Sequence, residues 1–177
     1  MSTALLVIDV QQALCFGDEA AFESERLIER INQLSASARR QGVPVILVQH
    51  EEADGALEHG SEGWQLAHGL LVEADDLVLG KTASDAFHLT TLQSALAARG
   101  VDRLVVCGLQ SDFCIDSTTR RALALGYPVT LVSDAHSTCD SDTLSAAQIS
   151  AHHTRTLSGI GGYGASVTPL TTAQITF

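Results

Sequence analysis

An aspartate, a lysine and a cysteine, far apart along the chain, each stand where an apolar run gives out. Asp9 closes Ala4-Leu5-Leu6-Val7-Ile8, and Lys81 closes Asp76-Leu77-Val78-Leu79-Gly80. Cys114 sits in Gly108-Leu109-Gln110-Ser111-Asp112-Phe113-Cys114-Ile115-Asp116-Ser117-Thr118, where the apolar run 104–107 gives way to a helix beginning near Asp112. A thiol in the first turn of a helix meets unsatisfied backbone N–H groups and the positive end of the macrodipole. Both favour the thiolate, the form that attacks carbonyl carbon, and the same N–H groups could hold the oxyanion that attack creates. An acid, a cation and a thiol on one edge of a fold suit acyl transfer by a cysteine nucleophile.

The elements that must bring these residues together are legible as apolar runs and helical spacings. Short continuous apolar runs at 4–9, 44–50, 76–81, 103–108 and 128–133 have the pattern of buried parallel strands, and 164–167 is expected to be the last strand. Between them, Leu27, Ile31, Leu34 and Ala38 recur at helical spacing up to Gly42. Leu89, Leu92 and Leu96 predict a second helix, Thr118, Ala122 and Leu125 a third ending at Gly126, and residues 140–157 a fourth. This alternation predicts one α/β domain over residues 1–177. It has three layers, a largely parallel six-stranded, Rossmann-like sheet flanked by helices, and right-handed crossovers. Ligands of open α/β sheets bind outside the carboxyl ends of the strands, which is where Asp9, Lys81 and Cys114 fall. Residues 51–69 show no periodicity and hold the chain's single tryptophan, Trp64, so they read as a long functional loop.

Composition narrows the function classes. The chain has 177 residues, 45% of them apolar, enough to build a substantial core. Its formal charge of −11, with no basic cluster, argues against a nucleic-acid partner. No apolar run approaches the roughly 20 residues that span a bilayer, and Met1-Ser2-Thr3 passes straight into the first strand without a basic leader. A cytoplasmic protein acting on a small molecule is the expectation. Cysteines 15, 107, 114 and 139 lack the spacing of metal ligands and the density of a disulfide framework, so they are expected to be free thiols.

Several stretches, in this order, resemble the isochorismatase-like cysteine hydrolases over nearly the whole chain. They are Leu6-Val7-Ile8-Asp9-Val10-Gln11, Lys81 with Ser84-Asp85-Ala86-Phe87, residues 108–118, and Gly126-Tyr127-Pro128-Val129 with Asp134-Ala135. The resemblance implies a catalytic triad of Asp9, Lys81 and Cys114. Cys114 would attack a carbonyl. Asp9 would take its proton, pass it to the leaving amine and then activate water against the thioester. Lys81 would keep both partners ionised and positioned. The resemblance also implies a cis peptide at Leu109–Gln110 and an oxyanion hole from the backbone N–H groups of Gln110 and Cys114. It further implies no cofactor, and a homo-oligomer, a dimer or tetramer.

Two departures sharpen the expected reaction. Relatives that hydrolyse isochorismate typically lack a cysteine at the nucleophile position, so Cys114 points to hydrolysis of a C–N bond in a small amide, carbamoyl or ureido compound. Metal-binding members carry Asp-x-His after the second strand, whereas this chain has Gln49-His50-Glu51-Glu52-Ala53-Asp54. His50, His59 and His68 fit no metal template, and no metal is expected. The alternatives are isochorismatase-type cleavage of a vinyl ether, which could survive loss of the thiol, and a silent member serving as a binding or assembly module.

Substrate contacts are expected from Gln11, Phe16, His50, Trp64 and Phe113, since apolar walls with few polar groups line small-molecule sites. His50 could equally be a structural histidine. Phe87 and Cys107 are read as core, Cys139 as structural, and Cys15 as an incidental thiol after Asp9. His152 and His153, adjacent on a helix, point about 100° apart and would not share a metal. The Gly159-Ile160-Gly161-Gly162-Tyr163-Gly164 stretch follows a helix where a dinucleotide loop would precede one, and is read as a flexible connection.

Overall fold

A computed structural model describes residues 2–17 and 19–177. Six strands form one parallel sheet: β1 (Thr3–Ile8), β2 (Val45–His50), β3 (Leu77–Lys81), β4 (Arg103–Leu109), β5 (Val129–Ser137) and β6 (Val167–Leu170). Their spatial order is β3-β2-β1-β4-β5-β6. The chain winds outward one way from β1 and the other way from β4, so the crevice between these two central strands is a topological switch point. Ligands of such sheets bind at the carboxyl end of that crevice.

Both faces of the sheet are covered, as continuous apolar strands require. On β1, Ala4, Leu6 and Ile8 face one layer. There Leu92 and Leu96 of α3 (Leu92–Ala98), Ile115, Ala122 and Leu123 of α4 (Cys114–Ala124), and Leu157 of α5 (Ala146–Ser158) complete the core. Leu5 and Val7 face the other, covered by Leu27, Ile28, Ile31, Leu34 and Ala38 of α2 (Ser24–Arg40) and by Cys15 of the short α1 (Gln12–Cys15). Alternation on the strand and 3.6-residue spacing on the helix thus produce three layers. Among the described residues no helix is long and apolar enough to cross a membrane.

Four boundaries differ from the sequence expectation. The last helix starts at Ala146 rather than near residue 140, because Ser145 and Gln148 form a reciprocal capping box and Asp140 Oδ1 accepts the Ala146 N–H at 2.7 Å. The last strand is Val167–Leu170, with Val167 paired to Val129; Pro169 is tolerated because β6 lies at the sheet edge. Leu89 belongs to no helix: it has φ of +53° and is 91% exposed, and α3 begins at Leu92. β5 continues to Ser137 after an irregularity. Leu131 pairs with Val106, but the next pairings are His136 with Gly108 and Ser137 with Leu109.

Gly108 is the residue on which the central crevice turns. Its φ is +117°, and a Cβ there would lie 2.1 Å from the Ile8 carbonyl oxygen and 2.7 Å from the Ile8 nitrogen. Only glycine lets β4 approach β1 this closely at the strand ends that carry the site. Gly108→Ala is expected to cost about 3 kcal/mol or more, read as a lowered urea midpoint; an unchanged midpoint would contradict this packing.

Candidate active site

Asp9 follows β1 with φ of +52°, a left-handed conformation that aspartate tolerates better than most residues. It is 1% exposed, and its N–H is held by the Val48 carbonyl of β2 at 2.8 Å. Lys81 ends β3, in register with His50 of β2, and its side chain is fully buried. Its ammonium donates to three atoms: Asp9 Oδ2 at 2.8 Å, His50 Nδ1 at 3.0 Å and Cys114 Sγ at 3.2 Å. Cys114 is the first residue of α4, at the bottom of a cavity of about 240 Å³ lined also by Asp9, Leu14, His50, Glu52, Leu57, Ser84, Gln110 and Phe113.

Burial makes this electrostatics different from that of an exposed helix start. The Cys114 thiol is pushed up to about 12, first by burial and then by the Asp9 charge, against the pull of Lys81. A helix dipole is worth about 0.3–1 kcal/mol at a surface position, too little to overcome that desolvation. Burial therefore works against the thiolate that helix position alone favours. Burial also raises Asp9 above its ordinary 3.8, opposed chiefly by Lys81. His50 is lowered from 6.5 by burial and by the Lys81 charge, which leaves Nδ1 free to accept from the ammonium. Asp9 Oδ1 is buried with no hydrogen-bond partner among the described residues.

Asp9, His50 and Cys114 each offer an atom within 4.8 Å of the others, a set that could ligate a cation. The Lys81 ammonium already contacts all three side chains, so a metal would first have to displace a buried internal cation.

Beyond β4, the Leu109–Gln110 peptide is cis, at the position the resemblance implied. The Gln110 carbonyl accepts from the N–H groups of Phe113 and Ile115, both at 3.1 Å. Gln110 follows β4 at this turn, and Cys114 is the first residue of α4. The resumed β5 buttresses this loop. Ser137 O accepts the Ser111 N–H at 2.8 Å, and Ser111 Oγ bonds His136 Nδ1 at 2.8 Å and Ser150 Oγ at 2.9 Å. His136 Nε2 bonds Thr154 Oγ1 at 2.8 Å.

Burial pushes the His136 imidazole from 6.5 down to about 4. The unfolded chain takes up that proton near 6.5 and the folded chain only near 4, so the stability involved is intact above 6.5 and is lost as pH falls toward 4. The loss should reach on the order of 3 kcal/mol, measured by urea unfolding at pH 7 and pH 4. His136→Gln should flatten that difference; an equal pH dependence in the variant would contradict it.

Of the residues expected to touch substrate, His50 and Phe113 line the cavity, and Phe113 is 54% exposed at its mouth. Gln11, Phe16 and Trp64 are not brought to its wall. Gln11 is fully buried: its amide accepts from the His50 N–H and donates to the His50 and Trp64 carbonyls, all at 2.8–2.9 Å. It ties the end of β1 to the end of β2 and to the 51–69 loop. Trp64 packs on His59 with ring centroids 4.4 Å apart, and Phe16 packs on the core under α2. That loop does reach the cavity, but through Glu52 and Leu57, and Leu14 and Ser84 complete the wall. Ser84 is held there because Thr118 of α4 accepts from the Ala86 N–H and donates to the Ser84 carbonyl. Phe87 and Cys107 are core, as read, and Cys15 is buried under α2.

A doubly wound parallel sheet with an Asp–Lys–Cys cluster at its switch point defines the class of protein. Residues 3–158 match the isochorismatase domain model. The chain belongs to the isochorismatase family of hydrolases. It is 41% identical to a streptothricin hydrolase from Streptomyces noursei over 155 residues, 83% of this chain and 56% of that protein. It is 30% identical to a ureidoacrylate amidohydrolase from Methylobacterium radiotolerans, covering 76% of this chain and 66% of the relative. The chain thus spans little more than half the length of the streptothricin hydrolase it matches. The crystal structure of N-carbamoylsarcosine amidase from Thermoplasma acidophilum superimposes with a TM-score of 0.79 at 28% identity, covering 99% of both chains.

Proposed function

We propose that the protein is a cysteine-nucleophile hydrolase of a C–N bond in a small amide, carbamoyl or ureido compound. The observation that carries this reading is the buried Lys81 ammonium, 2.8 Å from Asp9 Oδ2 and 3.2 Å from Cys114 Sγ, beside an unpartnered Asp9 Oδ1. The relatives' names, two amide-cleaving enzymes and a hydrolase, support it.

In the proposed cycle Cys114 Sγ bonds to the substrate carbonyl carbon as its proton passes to Asp9 Oδ1. Burial raises the thiol, so Asp9 as proton acceptor is needed for sulfur to attack. The carbonyl electron pair moves onto oxygen, which the Gln110 and Cys114 N–H groups receive. The C–N bond breaks as Asp9 returns the proton to the departing nitrogen, leaving a thioester. Asp9 then takes a proton from water as it attacks, and the thiol is regenerated with release of the acid. Throughout, negative charge passes between Asp9, sulfur and substrate oxygen, and Lys81 remains in contact with the first two. A small-molecule substrate and a dimeric or tetrameric assembly complete the reading, the latter tested by light scattering.

Ammonia release from a panel of small amides, carbamates and ureido acids tests the proposal. Activity is expected on at least one, and it should fall on the acid side as Asp9 takes up a proton. Because burial raises Asp9, the midpoint of that limb should lie above the ordinary carboxylate value of 3.8. Ammonia release from none of the panel, or a limb at or below the ordinary value, would count against the reading.

A further inference from the structure

The cavity over Cys114 adjoins a second, larger one of about 750 Å³, and the two share Leu14, Glu52, Leu57 and Gln110 as walls. The larger cavity is also lined by Glu19 and Asp140, and among the described residues no lysine or arginine lines either. The chain's only lysine is Lys81, already held by Asp9 beneath the site. Glu52 faces His50 Nε2 at 3.8 Å, but His50 is kept neutral, so that carboxylate meets no permanent positive charge there. Cys139, on the same wall, is raised by burial and then by the charges of Glu19, Asp112 and Asp140. The groove is therefore negative along its length. Independently, Asp9 lines the inner cavity, and its Oδ1, on a side chain 1% exposed, has no hydrogen-bond partner among the described residues. Such an orphaned buried oxygen fits a ligand that brings a donor.

We infer that this groove takes amides carrying a cationic group, an ammonium or guanidinium, seated against the carboxylates of Glu19 and Glu52 while the scissile carbonyl lies at Cys114. The inference rests on the amide-hydrolase reading for its carbonyl and on the groove's walls for its charge. A concave wall of one sign focuses its field and raises the local concentration of oppositely charged ligands. An anionic substrate would be excluded by the same field. Asp140 is engaged in capping α5, accepting from the Ala146 N–H, so Glu19 and Glu52 are the carboxylates left for the ligand.

Charge selectivity at Cys114 can be read without turnover. A trimethylammonium-bearing and a sulfonate-bearing methanethiosulfonate are reacted with the protein at low ionic strength. Labelling of the Cys114 peptide is followed by mass spectrometry, and each rate is divided by the reagent's rate with a free small thiol. The cationic reagent is expected to be favoured by about tenfold, falling toward parity in a Glu19→Gln/Glu52→Gln variant and in high salt. A ratio at or below one, a ratio that the double variant leaves unchanged, or labelling by neither reagent would overturn the inference. In a second arm, kcat/KM for 6-aminohexanamide is compared with that for heptanamide, and the cationic amide is expected to be preferred. Charge-selective labelling with ammonia released from neither amide would count against amide hydrolysis and support the cationic groove. Ammonia released equally from both would do the reverse.

Discussion

Cys114→Ala is expected to lower turnover by at least about 10⁴-fold, the scale on which loss of a covalent nucleophile registers in other hydrolases, with the fold intact. The sulfur is a small buried group in polar contact with Lys81 and Asp9, and those two keep each other as partners, so its loss should shift the unfolding midpoint only slightly. Lys81 keeps Asp9 and His50 as partners when the thiol is gone, which is why stability and activity separate here. Substantial activity in this variant would shift the account to vinyl-ether chemistry that needs no thiol. Loss of folding instead would mean that the sulfur is chiefly a packing atom.

Lys81→Met is expected to damage both properties. The side chain sits in a fully buried ion pair, and removing one partner strands the Asp9 carboxylate at a cost of about 3–5 kcal/mol near neutral pH. Without the ammonium the opposing pull on Asp9 disappears, so its pKa rises further and the base is protonated where the wild type works. The variant should therefore regain part of its lost stability as pH falls and Asp9 becomes neutral. An uncharged replacement of both partners, Asp9→Asn with Lys81→Met, keeps a residue that tolerates the left-handed backbone at position 9 and should recover part of the stability while still showing no turnover, because the charges serve chemistry more than folding. Urea unfolding and ammonia release on these two variants separate these outcomes. A stable, active Lys81→Met protein would remove the lysine from the account.

The strands were the most legible part of the chain, because buried parallel strands must be continuously apolar and their carboxyl ends are where polar residues return. Asp9 and Lys81 stood out for that reason, and the helix signal placed Cys114. The environment of the thiol was not legible. Helix position predicts a lowered pKa, but depth beneath the 51–69 loop and the charge of Asp9 are tertiary facts that reverse the sign. The Ser145-x-x-Gln148 capping pattern that sets the start of α5 is present in the sequence. The resumption of β5 was hidden, since Ser133-Asp134 reads as the end of a strand. Only the pairing of His136 with Gly108 shows that the strand returns to support the Gln110 loop. Among the pocket residues, Trp64 is favoured in the sequence because its segment has no element of its own to pack. The structure spends Trp64 on packing against His59 and uses its carbonyl to accept from Gln11 and Gln49. Gln11 is expected to touch substrate, but its side-chain amide is engaged by the His50 and Trp64 backbone.

The most direct test of Cys114 as nucleophile is an acid quench of the enzyme during turnover of a reactive amide, followed by mass spectrometry of the intact chain and its peptides. The account predicts an adduct equal to the acyl portion of the substrate on the peptide containing Cys114, labile to hydroxylamine as a thioester is, and absent from Cys114→Ala. Steady turnover with no adduct at that peptide, and the same rate in the alanine variant, would contradict it.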